Sequence, residues 1–364
     1  MNKENISEKQ AISLMVLFVF GTAAIIVTGL EAKNDLWIAT IIAILAAVGM
    51  AYIYAQFNHV FPGRDLFDIF EYCFGKVVGK VFIALYIWFG IHLAALVLRD
   101  LSELFFITVG SETPISIVMI AVVILSIVAL KQGIETLARF SEFFVIILVA
   151  FSFITLLMLT PDMHVNHIFP ILANGIKPVL NGAFSSFSFP FAEVVIFTMI
   201  FSNLKWKKTT YKVYASGVVI PGVILLVIGL VDLMVIGTEI ASGYYYPTFL
   251  TATKISFKSF LERLQIIIAF LYVIGGFVKL NICILAANRG ISKIFNCSEY
   301  RFIVVPVGLL VFNLSYSLYD GAIDFYEWTR EVWRFYAFPF QVIIPILIFI
   351  ILKIKIRTGK KMTM

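Results

Sequence analysis

The segment from Asn181 to Leu204 carries the residues best suited to bind a small molecule. It is apolar and long enough to cross a bilayer, but a serine-rich stretch interrupts it directly before Pro190, and Glu193 follows. Proline removes a helical N–H donor and clashes with the preceding turn, so backbone groups near Ser186 lose their helical partners. A carboxylate at membrane depth is costly and needs a partner, a proton or a ligand. We therefore expect a ligand site at this break.

The composition is that of a polytopic membrane protein. Of the 364 residues, 61% are hydrophobic and 14% charged, and the mean hydropathy is +0.99, outside the usual range of soluble domains. A helix needs about 20 apolar residues to cross the hydrocarbon core. One all-α integral membrane domain over residues 1–364 is predicted, with ten spans near 11–31, 36–58, 80–107, 114–131, 139–160, 181–204, 212–238, 263–288, 300–318 and 335–355.

The loop charges predict the orientation of these spans. With the N-terminus inside, most of the 28 Lys and Arg residues fall in cytoplasmic segments, as the positive-inside rule requires. Both termini are therefore expected in the cytoplasm. This asymmetry accounts for the net charge of +6, and no nucleic-acid partner is needed to explain it.

The two halves of the chain show an internal correspondence. Spans one to five, about 11–160, can be laid against spans six to ten, about 181–355. Gly21 and Thr22 then interrupt the first span at the position equivalent to the break before Pro190, and paired interruptions of this kind indicate a binding site near the membrane midplane. The alternative is that Gly21 only allows close helix packing.

The chemistry of such a site follows from its broken helices. Half-helix N-termini present unpaired N–H groups that favour an anion, whereas a carboxylate and hydroxyl groups suit an amine or a polyol. Glu193 also fits a capping carboxylate, because it lies in the first turn after the break. The predicted ligand-binding residues are Gly21, Thr22, Ala23, Ser186, Ser188, Pro190 and Glu193.

Two further charges lie within predicted spans. Lys279 follows Gly275 and Gly276 on a face of small residues at helical spacing, so it points into the bundle, where it could neutralise Glu193 or replace a coupling cation. Snorkelling to an interface is the alternative. Asp232 is either a vestibule residue or an interfacial one.

Other polar residues allow two interpretations each. His92 is either a proton shuttle or a packing histidine. The run from 239 to 262 is either a lid on the outer side or an interfacial anchor. A set of alternating charges at helical spacing predicts a solvated, salt-bridged surface that could also contact a partner; its members are Asp320, Asp324, Glu327, Arg330, Glu331 and Arg334.

Several short motifs, in their order and spacing along the whole chain, resemble the spore germination permease family. They are Ile6-Ser7-Glu8-Lys9-Gln10 before the first span, Asn34-Asp35-Leu36-Trp37-Ile38 before the second, Phe191-Ala192-Glu193-Val194 in the sixth, Tyr246-Pro247-Thr248 and Glu262-Arg263 before the eighth, and Ala286-Ala287-Asn288-Arg289-Gly290 at its end.

The resemblance implies a LeuT-type fold of ten helices in a five-plus-five inverted repeat, within the amino acid–polyamine–organocation superfamily. It also implies the B subunit of a nutrient germinant receptor in the spore inner membrane, with a membrane A subunit and a lipoprotein C subunit as partners. The B subunit would hold the nutrient pocket. One departure is that transporters usually carry Gly-x-Gly at the first break, whereas this chain has Gly21-Thr22-Ala23, which weakens the case for an amino acid.

Two functions from different classes follow. The first is a sensor that binds a small germinant (an amino acid, a nucleoside or a sugar) and signals to partner subunits. The second is a proton-coupled amino acid or polyamine transporter, in which Glu193 or Lys279 changes protonation. No hydrolase or nucleotide-binding motif and no Cys/His metal spacing occurs in the sequence, so neither an enzyme nor a cofactor or metal is predicted.

Overall fold

The computed structural model describes residues 6–109, 113–202, 209–254 and 264–357, which form helices and the loops between them. The α-helices are α1 (Glu8–Ala23), α2 (Leu36–Val60), α3 (Leu66–Val109), α4 (Ile115–Gln132), α5 (Ile134–Leu159), α6 (Ile176–Ser188), α7 (Thr210–Gly243), α8 (Pro247–Thr253), α9 (Leu264–Ile294), α10 (Val304–Ser317), α11 (Ala322–Glu331), α12 (Trp333–Phe338) and α13 (Ile344–Arg357). Short 3₁₀ helices cover Leu30–Asp35, Thr160–Asp162, Val165–Ile168 and Phe191–Met199, and Pro339–Ile343 is a π-helical turn.

Eight helical stretches in the described parts of the chain are long and apolar enough to cross a membrane. Ten were predicted. The two predicted spans without a counterpart among these eight, 11–31 and 300–318, coincide with α1 and α10, which have 16 and 14 residues. Helix α1 is short because it ends at the predicted interruption.

Helix α1 begins and ends where its sequence dictates. The Ser7 hydroxyl accepts a hydrogen bond from the Gln10 N–H at 3.2 Å, and the Gln10 side chain accepts one from the Ser7 N–H at 3.0 Å. This reciprocal capping box satisfies two donors at the helix start. Near the other end Gly21 departs from helical geometry, and the chain is irregular up to Gly29, whose φ of 82° is left-handed.

The break before Pro190 has the predicted place. Helix α6 ends at Ser188, Phe189 is extended, and the Phe189–Pro190 peptide is cis. The chain then continues as the 3₁₀ helix Phe191–Met199, in which every residue is buried. Proline cannot continue an α-helix, so the chain changes direction inside the protein.

Helix α1 lies in the centre of the bundle, packed against α5, α7 and α9. The backbones of α1 and α9 approach closely, because a Cβ atom on Gly275 would lie 2.8 Å from the Cα of Gly21. Small residues allow such approach between membrane helices. Gly21 therefore makes the close helix contact that was predicted as the alternative to a role in the binding site.

The connection between the second and third spans differs from the prediction. The predicted spans end at 58 and resume at 80, but α3 already begins at Leu66. It buries Phe67 and Phe70 completely before Gly75, whose φ is left-handed, redirects it. Of the predicted features, Glu262-Arg263 and the end of the 239–262 lid lie outside the described residues.

Candidate functional site

A cavity of about 130 Å³ lies where the two irregular segments meet α3, α9, α11 and α12. We call it the central cavity. It is large enough for several water molecules or one small solute. Its polar and aromatic lining comprises Thr22, Thr28, Glu31, Asp100, Ser185, Phe189, Glu193, Tyr245, Lys279, Phe325, Tyr326, Thr329, Arg330, Trp333 and Arg334.

One end of the central cavity holds an ion pair. Lys279 Nζ on α9 lies 2.5 Å from Glu193 Oε2 in the 3₁₀ segment, and both side chains are 0% exposed. The two opposite charges compensate each other where water is excluded, which is the condition for keeping either of them ionised. Among the described residues, no donor reaches Glu193 Oε1.

Lys279 also joins the two interrupted helices. Its Nζ donates to Thr22 Oγ1 at 3.2 Å, beside the first break, and lies 4.5 Å from the centroid of the Phe189 ring at the second. A cation over an aromatic face is favourable, more so when desolvated. One ammonium group on α9 therefore contacts both irregular segments.

A carboxylate surrounded by tyrosines lies on the α3 wall. Asp100 is 3% exposed and accepts hydrogen bonds from the hydroxyls of Tyr246 at 3.1 Å, Tyr245 at 3.4 Å and Tyr272. Tyr245 and Tyr246 belong to the turn between α7 and α8, and Tyr272 to α9. This cluster connects three elements through a single side chain.

A second group of polar contacts in the cavity lining is formed by Arg334. Its Nη1 lies 3.1 Å from Ser185 Oγ and 3.5 Å from Glu31 Oε1, and the Ser185 hydroxyl donates to the same Glu31 oxygen at 2.6 Å. Arg334 is 17% exposed. The prediction of a solvated surface is thus wrong for Arg334, because the chain folds α11 and α12 over the cavity.

The predicted ligand residues divide into two groups. Thr22 and Glu193 line the central cavity, and so does Lys279, which was predicted as a charge-pair residue. The remaining ones are buried but are not among its lining residues; these are Gly21, Ala23, Ser186, Ser188 and Pro190. Ser186 lies against Gly29, where an added Cβ atom would be 2.6 Å from the Ser186 hydroxyl.

Ser188 has a specific structural partner. Its hydroxyl donates to Gln341 Oε1 at 3.1 Å, and Gln341 Nε2 donates to the Ser188 carbonyl at 2.8 Å. Gln341 lies in the π-helical turn before α13. The end of α6 is therefore anchored to the last membrane helix.

Asp232 lies in a different place from the charge pair. It is buried, accepts a hydrogen bond from Thr248 Oγ1 at 2.6 Å, and lines a second cavity of about 230 Å³ between α1, α5, α7 and α9. We call this the side cavity. His92 stacks on Trp88 and contacts the ring of Tyr336 edge-on, an arrangement typical of a packing histidine.

Sequence reasoning missed Asp100, Glu31 and Arg334. Asp100 is adjacent to Arg99 near the end of a predicted span, which is typical of an interfacial charge cluster. The motif that begins Asn34-Asp35 was noted in the sequence, but Glu31, three positions before Asn34, was not. A search for every carboxylate within the predicted spans could have found Asp100.

The comparisons with known proteins decide the family. A family model described as "Spore germination protein" matches residues 5–320. The chain belongs to the spore germination permease family. This family member is 30% identical to spore germination protein KB of Bacillus subtilis over 96% of this chain and 95% of that protein. It is 22% identical to spore germination protein A2 of the same organism, over 90% of this chain and 88% of the relative.

Two solved structures share the fold of this chain. One is Mhp1, a nucleobase-cation-symport-1 family transporter in a closed conformation with bromovinylhydantoin bound, with a TM-score of 0.65 at 13% identity, covering 88% of this chain and 74% of Mhp1. The other is a Na⁺-coupled sialic acid symporter in a substrate-bound outward-open state, with a TM-score of 0.60 at 12% identity, covering 91% and 76%. The fold is therefore LeuT-like.

Proposed function

We propose that this chain is the ligand-binding membrane subunit of a spore nutrient germinant receptor. A small germinant binds in the central cavity, and the resulting change in the bundle signals to partner subunits that start germination. The observation that carries the proposal is the cavity itself, which lies between two interrupted helices and has a buried charge pair at one end. Membership of a germination family supports it.

The proposed mechanism is a shift between two conformations of the bundle. A ligand changes this equilibrium only by its differential affinity for the two states. The central cavity suits this requirement because its wall combines helices α3 and α9 with both irregular segments. Of the predicted ligand residues, Thr22 and Glu193 are proposed to face the germinant, and Lys279 to balance Glu193 in the state described.

The proposed topology is one transmembrane domain of ten helices with both termini in the cytoplasm. In it, α1 together with the irregular chain up to Gly29 forms the first crossing and α10 the ninth. The two halves, about 11–160 and 181–355, form the inverted repeat. The setting is the spore inner membrane, with an A subunit and a lipoprotein C subunit as partners.

A proton-coupled amino acid or polyamine transporter is the second candidate. Two observations favour it: the structures that share this fold are transporters, and a buried Glu–Lys pair can exchange a proton when the cavity changes access. In that case the chain would move its ligand across the membrane rather than report it.

The test is nutrient-triggered dipicolinate release from spores that lack this chain. The sensor predicts loss of response to one nutrient, with uptake of that nutrient by growing cells unchanged. Intact germination with lost uptake would support the transporter instead. In spores that carry Glu193→Gln at normal abundance in the membrane, the response should fall sharply; a normal response would remove Glu193 from the site.

A further inference from the structure

The charges around the central cavity are paired, with one exception. Each pair joins two side chains at 4 Å or less, and at least one member of each lines the cavity. The pairs are Lys279 with Glu193 at 2.5 Å, Arg334 with Glu31 at 3.5 Å and Arg330 with Glu331 at 3.8 Å. Asp100 lines the same cavity and, within the parts of the chain described here, has no cation at that distance.

The nearest basic residue in sequence does not neutralise Asp100. Arg99 Nε lies 2.7 Å from Glu103 Oε1, and both of these side chains are less than 10% exposed. The Arg99 Nη1 group donates to the Tyr319 carbonyl at 3.3 Å. Arg99 is thus committed to another carboxylate on the same helix, and Lys279, whose charge also acts on Asp100, is already paired with Glu193.

The tyrosines around Asp100 satisfy only part of its capacity. Three phenol hydroxyls donate to its two oxygens, whereas an ionised carboxylate offers about four acceptor positions. Phenols are neutral donors, so they orient the carboxylate without cancelling its charge. One acceptor position is left for a cationic donor that enters the cavity.

Aromatic rings complete the surroundings of this position. Tyr245, which donates to Asp100, has its ring centroid 4.8 Å from that of Tyr326, whose ring lies 6.0 Å from the Arg330 guanidinium, and both rings line the cavity, as does Trp333. A carboxylate close to aromatic rings suits an ammonium group, which the carboxylate binds through a charged hydrogen bond while a ring contributes a cation–π contact. Glu193 cannot replace it in this role while Lys279 occupies it.

We propose that Asp100, with the tyrosines that hold it, is the subsite for an ammonium group of the ligand. The ligand is then an amine or an amino acid. The inference rests on the proposed function, because it assigns a ligand to the same cavity. It also moves recognition of the amine from Glu193, where the sequence placed it, to α3.

The experiment compares dipicolinate release from spores carrying the wild-type chain, Asp100→Asn, Asp100→Glu or the control Asp162→Asn. Asp162 lies in the short 3₁₀ helix after α5 and does not line the central cavity. A panel of L-amino acids, primary amines, glucose and inosine first identifies the nutrient whose response is lost on deletion. Its deaminated analogue, such as propionate for alanine, is then tested, and abundance in the membrane is measured by immunoblot.

We expect the nutrient to carry an ammonium group and its deaminated analogue to be inactive. Asp100→Asn should raise the half-maximal nutrient concentration about ten- to one-hundredfold, because loss of one charged hydrogen bond has an effect of that size. Asp100→Glu should retain part of the response, and Asp162→Asn all of it. Intrinsic tryptophan fluorescence of the purified full-length chain, to which Trp333 in the cavity lining contributes, should show the same order of affinities for that nutrient.

The outcomes separate this inference from the proposed function. If deletion changes no nutrient response, the proposed function fails and the subsite has no ligand. If deletion removes a response but the active nutrient lacks an ammonium group, or its deaminated analogue acts equally well, the receptor function stands and the ammonium subsite is wrong. A normal concentration dependence in Asp100→Asn spores also overturns it.

Discussion

Removing one partner of the Lys279–Glu193 pair should destabilise the protein strongly, and removing both should not. Coulomb's law at an effective dielectric constant of about 20 gives roughly 7 kcal/mol of attraction at their 2.5 Å separation. Desolvation of two charges that are 0% exposed opposes this gain. Breaking a buried pair typically costs about 3–5 kcal/mol, whereas replacing both members by apolar side chains of similar size is often neutral or stabilising.

The pH dependence makes this prediction specific. In Lys279→Met the isolated carboxyl group can escape its buried charge by taking up a proton, which costs a carboxyl of ordinary acidity about 3.7 kcal/mol at pH 7 and about 1.6 kcal/mol at pH 5.5. In Glu193→Gln the isolated lysine escapes by losing a proton, at about 4.6 kcal/mol at pH 7 and 2.6 kcal/mol at pH 8.5. The first variant should therefore recover stability as the pH falls, and the second as it rises.

The assay is denaturant unfolding of the full-length chain in detergent micelles, followed by tryptophan fluorescence from pH 5.5 to 8.5. The double variant Lys279→Met/Glu193→Leu, which replaces both charges by apolar side chains, serves as the matched control, and its free energy of unfolding should be close to or above that of wild type and independent of pH. The reasoning would be refuted if either single variant lowered the free energy of unfolding by less than about 1 kcal/mol, because the pair would then not be desolvated. It would also be refuted if the losses of the two single variants did not change with pH in opposite directions.

Three further predictions use variants with their own controls. Gly29→Ala should lower the free energy of unfolding by about 2 kcal/mol or more, and the control Gly63→Ala by only about 1 kcal/mol. Both glycines have left-handed φ, but only at Gly29 does a neighbouring atom lie 2.6 Å from the added Cβ. Equal losses in the two variants would contradict the steric argument. Gln341→Leu should cost about 1–3 kcal/mol in the same assay, since it leaves the buried Ser188 hydroxyl and carbonyl without their partner, and a loss below 0.5 kcal/mol would show that water or another group replaces it. Asp232→Asn should leave the half-maximal nutrient concentration within about twofold of wild type, because Asp232 lines the side cavity rather than the central one; a tenfold shift would place it in the response.

The membrane class and the interruptions could be predicted from the sequence because both depend on local composition. Apolar length determines where a helix can cross, and Pro190 ends α6 whatever surrounds it. The helix that begins at Leu66 could not be predicted in this way. Its first two turns follow a charged stretch and are held by burial of Phe67 and Phe70, which is a property of the folded bundle.

The candidate site shows the same division. Glu193 and Lys279 could be predicted because a charge in mid-span is costly and stands out from its apolar neighbours. Arg334 could not, because alternating charges at helical spacing are typical of a solvated helix. Only the return of α11 and α12 over the cavity brings Arg334 to Glu31, and this contact joins residues more than 300 positions apart in the chain.

The distribution of charges indicates how a ligand in the central cavity could act on the bundle. Asp100 and Lys279 lie on α3 and α9, two long helices that pack against each other. Glu193 and Glu31 lie on the irregular segments that follow the two breaks, and Arg334 holds Glu31 from α12. A molecule that contacted α3 alone would bind every conformation equally and shift nothing. An ammonium group at Asp100 acts on the equilibrium only if the rest of the molecule reaches Thr22, Glu31 or Ser185 on the irregular segments. Ligands that share the ammonium group should therefore all need Asp100 for binding yet differ in response, according to whether their remaining atoms reach the segments after the breaks.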